Sequence, residues 1–156
     1  MNITYRGSSS VVRSALAQAG VVLASTGRPF SAAAIERAAG LANGSRIRVV
    51  TVARIHGFAF GLQHPGLMPN KREKDAAQAV VTDAIKALHK RGLTADGEVV
   101  ITRTPGKAFA RSAKSAKTVT HVVIDPGAGR LARLEATATA RSVRLRTKGI
   151  TVQTAP

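Results

Sequence analysis

The chain has 156 residues, the size of one ordinary domain, and its 44% hydrophobic content is enough for a continuous core. It contains no cysteine, which excludes disulfide staples, thiolate catalysis and sulfur-ligated zinc. Its apolar runs at residues 21–24 and 122–124 fall far short of the ~20 residues a membrane-spanning helix needs. Twenty-four Lys and Arg against eight Asp and Glu give a formal charge of +16, and this surplus points to a neutralising polyanion.

Residues 1–19 are rich in Ser and small side chains. They read as a basic arm, either flexible or carrying a short helix capped by Ser10 through Val11, Val12, Leu16 and Ala19. No apolar run precedes the small residues at 14–19, so export is not expected and the chain reads as cytoplasmic. From residue 20 onward the pattern is that of one domain, 20–156. Aromatic residues are only 3% of the chain, so its core must be Ala, Val, Ile and Leu, which suits parallel strands under Ala-rich helices.

Val21-Val22-Leu23-Ala24 is the first strand of that domain, followed by the turn Ser25-Thr26-Gly27-Arg28-Pro29. Ser31 caps a helix through Ala34, Ile35, Ala38, Ala39 and Leu41, stopped at Asn43-Gly44. Ile47, Val49, Val50 and Val52 form the next strand. A long loop at 55–70 then carries Phe58, Phe60, Leu62, Leu67 and Met68, read as a cover for the core. A helix over 71–90 turns Ala77, Val81, Ala84, Ile85 and Leu88 inward and ends at Arg91-Gly92. Residues 98–102 make a strand, Thr104-Pro105 opens a helix, and 121–124 make another strand. The last helix is placed at 137–147, ahead of a closing strand at 150–152. Alternating strands and helices imply right-handed crossovers. The fold class is therefore α/β, an open, mostly parallel five-stranded sheet with helices on both faces.

More than half of the positive surplus lies in residues 101–156, which hold eleven bases against Asp125 and Glu135. Lys107, Arg111 and Lys114 stand at helical spacing, with Phe109, Ala113 and Ala116 on a different face. Arg130, Arg133, Arg141, Arg144 and Lys148 form a second series, within about 80° if the whole stretch is helical, and Leu131, Leu134, Ala138 and Leu145 form the adjoining apolar stripe. A solvated helix face ordinarily mixes both signs of charge, and this one does not. Together with Lys117, these nine bases are the candidate phosphate contacts of a structured nucleic acid, either rRNA on a ribosome or DNA. Scarce aromatics argue against reading single strands by stacking.

Nothing in the sequence assembles a catalytic site or a metal site. His56, His64, His89 and His121 are scattered singly, and no pair has the spacing of helical metal ligands. His121 reads as satisfying a strand-end hydrogen bond and Asp125 as pairing with Arg130.

The order of elements over about residues 20–153 resembles the universal stress protein family, with its adenine-nucleotide-hydrolase-like architecture. The strings that carry the resemblance are Val21 to Gly27 with Ser31, Thr104-Pro105, His121 to Gly129, Arg141 to Arg144, and Lys148 to Val152. The resemblance implies a stress-response role. Members that hold ATP carry an Asp after the first strand and a loop of Gly, two residues, Gly, nine residues, Gly, then Ser or Thr. The matching positions here are Thr26, Pro126, Gly129, Thr139 and Ala140, so only Gly129 keeps its residue and the motif is degraded. Pro126 lacks an N–H, Thr139 is branched and Ala140 has no hydroxyl, so no ATP cofactor is expected. A shifted pairing would leave Thr26, Gly27, Gly127 and Gly129 as a vestigial nucleotide site. The reading is thus a non-enzymatic nucleic-acid binder. The alternatives are an ATP-binding sensor, or a scaffold that docks on an acidic protein or forms a homodimer through its last strand.

Overall fold

The computed structural model describes residues 3–5 as backbone, and 19–55 and 68–156 in full. In chain order the elements are β1 (Ile3–Tyr5), β2 (Ala19–Ser25), α1 (Ala32–Ala42), β3 (Arg46–Arg54), α2 (Lys71–Lys90), β4 (Ala95–Thr102), α3 (Pro105–Ser115), β5 (His121–Ile124), α4 (Arg130–Arg146) and β6 (Thr151–Thr154). All pair in parallel in one sheet of order β1-β4-β3-β2-β5-β6. The five expected strands are present, and the short β1 adds a sixth beside β4. Four residues of the expected arm, Ile3 to Tyr5 in β1 and Ala19 at the start of β2, are therefore sheet backbone. Ala19, the last residue of the helix considered over 10–19, is strand, and the rest of that helix, the loop residues Phe58, Phe60, Leu62 and Leu67, and His56 and His64 lie outside the described residues.

The pleat of each central strand divides the core in two. Val21, Leu23, Ile47, Val49 and Val123 face α1 and α2, whose Ala34, Ile35, Ala38, Ala77, Val81, Ala84, Ile85 and Leu88 complete one cluster. The alternate residues Val22, Ala24, Val50, Val52, Val122 and Ile124 face α3 and α4 and meet Phe109, Ala113, Ala136, Ala140 and Val143. Because both faces are covered, β2 is buried along its whole length and reads as a continuous apolar run.

Local signals set the helix ends. Ser31 caps α1 through Oγ, which accepts from Ala34 N–H at 3.2 Å, and Asn43 ends it in the left-handed region at φ 44°. Asn70 and Glu73 form a reciprocal capping box on α2, with both bonds in place at 2.9 and 2.7 Å.

Three expectations are corrected. The last helix begins at Arg130, seven residues before its expected start, because Gly129 at φ 99° is the turn that precedes it. Its core face consists of Ala132, Ala136, Thr139, Ala140 and Val143, while Leu131, Leu134, Ala138 and Leu145 face solvent. Asp125 does not pair with Arg130: it is buried and accepts from the N–H groups of Ser31 and Gly127 at 2.5 and 2.9 Å. Met68, read as part of a core cover, is exposed.

Arg48, at a β3 position whose pleat faces α3, is only 1% exposed. Its guanidinium donates to Ser115 Oγ at 2.8 Å and to the Ser112 carbonyl at 3.2 Å, and it faces Asp96 at 3.9 Å. One unit of the formal charge is thus structural, holding α3 to the sheet.

Candidate nucleic-acid interface and switch-point crevice

From β2 the chain winds outward through β3 to β4, then crosses back to β5 on the other side of β2. This reversal puts α1 and α2 on one face and α3 and α4 on the other. It also opens a crevice at the carboxyl ends of β2 and β5, the place where open parallel sheets bind ligands.

All nine candidate phosphate contacts belong to the α3–α4 layer. Lys107, Arg111 and Lys114 are exposed on the side of α3 opposite the buried Phe109 and Ala113, and Lys117 is exposed just beyond the helix. Arg130, Arg133, Arg141 and Arg144 are exposed on α4, and Lys148 follows it. The helices pack closely: a Cβ built on Gly106 would lie 2.6 Å from Ser142 Cβ. Arg103 and Arg146 are exposed on the same layer and were missed by the sequence reading. Arg103 precedes its helix, and Arg146 falls outside the 80° window that defined the second series.

Each acid that meets this layer is engaged by a partner, Glu98 of β4 by accepting from Ser112 Oγ of α3 at 2.7 Å. Asp125 is buried on backbone N–H groups, and Glu135 is ion-paired with Arg54 at the end of β3. The α1–α2 layer differs, since there Glu36, Glu73, Asp75 and Asp83 are interspersed with seven bases. Arg144 is not a simple free cation, because it donates to the Val152 carbonyl at 2.8 Å.

At the carboxyl ends of β2, β3 and β5 stand Thr26, Gly27, Asp125, Gly127 and Gly129, together with two arginines that the sequence reading did not place there. Gly27 sits at φ 85° and donates its N–H to Thr51 Oγ1 at 3.2 Å; an added Cβ would be 2.7 Å from the Val52 carbonyl oxygen. Only glycine fits such a position without strain. Arg28 reaches across to the loop after β5, donates to the Ala128 carbonyl at 3.2 Å, and packs against Gly127. Burial, and then the positive charge of Arg28, lower the pKa of the Arg54 guanidinium from its ordinary value. Arg54 is paired with Glu135, so Arg28 is the arginine of the crevice left for a ligand, and Asp125 holds the two walls together.

His121 opens β5 with Nδ1 2.8 Å from Thr120 Oγ1, a strand-end hydrogen bond of the kind its position suggests. Among the described residues no group of three His, Asp or Glu side chains could hold a metal ion. Among the same residues no helix is long and apolar enough to cross a membrane.

No protein-family model matches the sequence, and no curated protein matches it. Solved structures do match. A universal stress protein from Archaeoglobus fulgidus, in complex with dAMP, superposes with a TM-score of 0.61 at 16% identity, over 90% of this chain and 99% of that one. The chain has the universal stress protein fold. A universal stress protein family structure from Burkholderia pseudomallei matches at TM-score 0.58 and 17% identity, over 90% of this chain and 97% of its own. The universal stress protein UspA from Lactobacillus plantarum matches at 0.56 and 14%, over 89% and 98%. Within this fold the crevice described above lies at the switch point, and the basic α3–α4 layer is a separate surface.

Proposed function

We propose that this chain is a non-enzymatic, stress-type binding protein whose α3–α4 layer grips the phosphates of a structured nucleic acid, rRNA on a ribosome or DNA. The observation that carries the proposal is the engagement of the acids that meet that layer, Asp125 with backbone, Glu135 with Arg54 and Glu98 with Ser112. The exposed Lys and Arg are left without local counter-charge, and a phosphate backbone supplies it. Arg suits this target because its planar fork matches phosphate oxygens two at a time. With few aromatics to stack on bases, recognition falls to backbone and shape.

The test is the salt dependence of binding to duplex DNA and to folded rRNA fragments. If about five phosphates are neutralised on a duplex, log affinity falls against log salt with a slope near −4.5. A slope near zero overturns the proposal. Sequencing nucleic acid that copurifies from cells identifies the target, and nuclease treatment before a pull-down separates a nucleic-acid partner from an acidic protein.

A second reading, a nucleotide sensor at the crevice, is favoured by the dAMP bound to the Archaeoglobus fulgidus structure and by the Arg28 guanidinium that reaches across to the loop after β5. Thermal shift with ATP and magnesium tests it, since ligand at 100 times its dissociation constant stabilises by about 2.7 kcal/mol. No shift at that excess removes this reading and leaves the first intact.

A further inference from the structure

Helix α4 turns an unusual surface away from the sheet. Leu131, Leu134 and Leu145 are 82%, 67% and 77% exposed, and Ala138 is exposed between them. At about 100° per residue these four fall within roughly 60° of arc, opposite the buried Ala132, Ala136, Ala140 and Val143. Arg141 occupies the place that completes a three-four-three-four spacing from 131 to 145, and Arg130, Arg133 and Arg144 run along one border. A lone exposed Leu needs no explanation. Three in register, on a helix whose core face is Ala and Thr with a single Val, do.

We propose that Leu131, Leu134, Ala138 and Leu145 form a docking seam for an acidic amphipathic helix of another protein, with Arg141 at its edge and Arg130 beside it meeting carboxylates of that helix. The width of the stripe and its charge select this occupant. A stripe of about 60° is the narrow seam of helix-on-helix packing, whereas a helix lying on a bilayer presents a broad apolar face. Arg141, at the edge of the stripe beside Leu134, suits a partner that brings a carboxylate to it. A second copy would set +16 against +16 and the same arginines against each other. Nucleic acid would engage the arginines and leave the leucines nothing to bury against. A helix with Leu-type residues flanked by Glu or Asp satisfies both features at once. The 17 residues of α4 give a seam of about 25 Å. This inference rests on the leucines and shares Arg130 and Arg141 with the phosphate-binding proposal.

The test uses the full chain and a labelled synthetic helix of about three heptads, with Leu at a and d and Glu at e and g. The same composition in scrambled order and vesicles of phosphatidylglycerol serve as comparisons. The ordered helix is expected to bind and the scrambled one to bind at least about tenfold more weakly. The triple variant Leu131→Ser, Leu134→Ser, Leu145→Ser removes only exposed side chains. It is expected to keep its thermal midpoint and its nucleic-acid affinity while losing at least about tenfold in affinity for the ordered helix. Arg141→Gln is expected to weaken that binding and flatten its salt dependence. Equal binding of both peptides, or a triple variant that binds like wild type, overturns the proposal in favour of charge alone. Vesicle binding that the triple variant abolishes, without helix binding, overturns it in favour of a lipid surface. Self-association that the triple variant abolishes overturns it in favour of a second copy.

Discussion

At the outer edge of the sheet the Arg144 guanidinium lies 2.8 Å from the carbonyl oxygen of Val152. Thr151 and Ala155 donate their N–H groups inward to Thr120 and Ile124 of the neighbouring chain segment, so Val152, between them, turns its carbonyl outward. An open edge strand is a template for pairing with another chain, and a charged side chain laid across it blocks that pairing. Arg144→Ala is expected to increase self-association through β6, read by sedimentation velocity at matched concentration, with Arg144→Lys intermediate. Unchanged sedimentation would show that the edge is guarded by something else.

Asp125 and Ser31, 94 residues apart, are joined through the Ser31 N–H at 2.5 Å. The same carboxylate accepts from Gly127 N–H, so it ties the start of α1 to the loop after β5. Asp125→Ala leaves these two donors without their acceptor and is expected to cost about 2 kcal/mol in urea unfolding. Asp125→Asn, which keeps one acceptor oxygen, should cost less. Equal losses for the two variants would mean that the charge, not the acceptor geometry, carries the effect.

Gly106 lies where α3 crosses α4, and a methyl there would meet Ser142 Cβ at 2.6 Å. Helix propensity alone favours Ala over Gly by up to about 1 kcal/mol. The contact is tighter than that gain offsets, and Gly106→Ala is expected to lower stability, with overpacking in such sites costing about 1–3 kcal/mol. Ser142→Gly should recover part of the loss in a double-mutant cycle. Additive effects would place the strain elsewhere.

Asp96 is half-buried between Arg46 and Arg48. Burial raises its pKa above the ordinary 3.8, and the attraction of Arg48 and then Arg46 only partly opposes this. A carboxyl whose folded pKa is raised contributes stability that is complete below its unfolded pKa and lost as pH rises through the folded one. Wild type is therefore expected to lose ground to Asp96→Asn as pH climbs above the ordinary carboxylate value, followed by thermal midpoints of both proteins. A gap that stays constant, or moves the other way, would mean that the arginines outweigh burial.

The inward residues of α2 were readable because they are large and its outward residues are charged, so the contrast between its faces is steep. The same applies to α3, where Phe109 and Ala113 oppose Lys107, Arg111 and Lys114. On α4 the contrast is inverted. Its buried stripe is small, as close packing on α3 at Gly106 requires, and its large apolar residues point outward. Periodicity gives the angle between two stripes on a helix and leaves open which of them meets the sheet.

The alternation of β2 to β6 with α1 to α4, the cap at Ser31, and the concentration of charge in residues 101–156 were determined by the sequence alone, since each depends on neighbours within a turn or two or on composition. The tertiary structure decided the rest: the burial of Arg48, the commitment of Asp125 and Glu135 to internal partners, the meeting of Arg28 and Arg54 at the crevice, and the outward leucines of α4. Each of these joins residues distant in sequence, and only packing the two helical layers onto the sheet brings them within reach of one another.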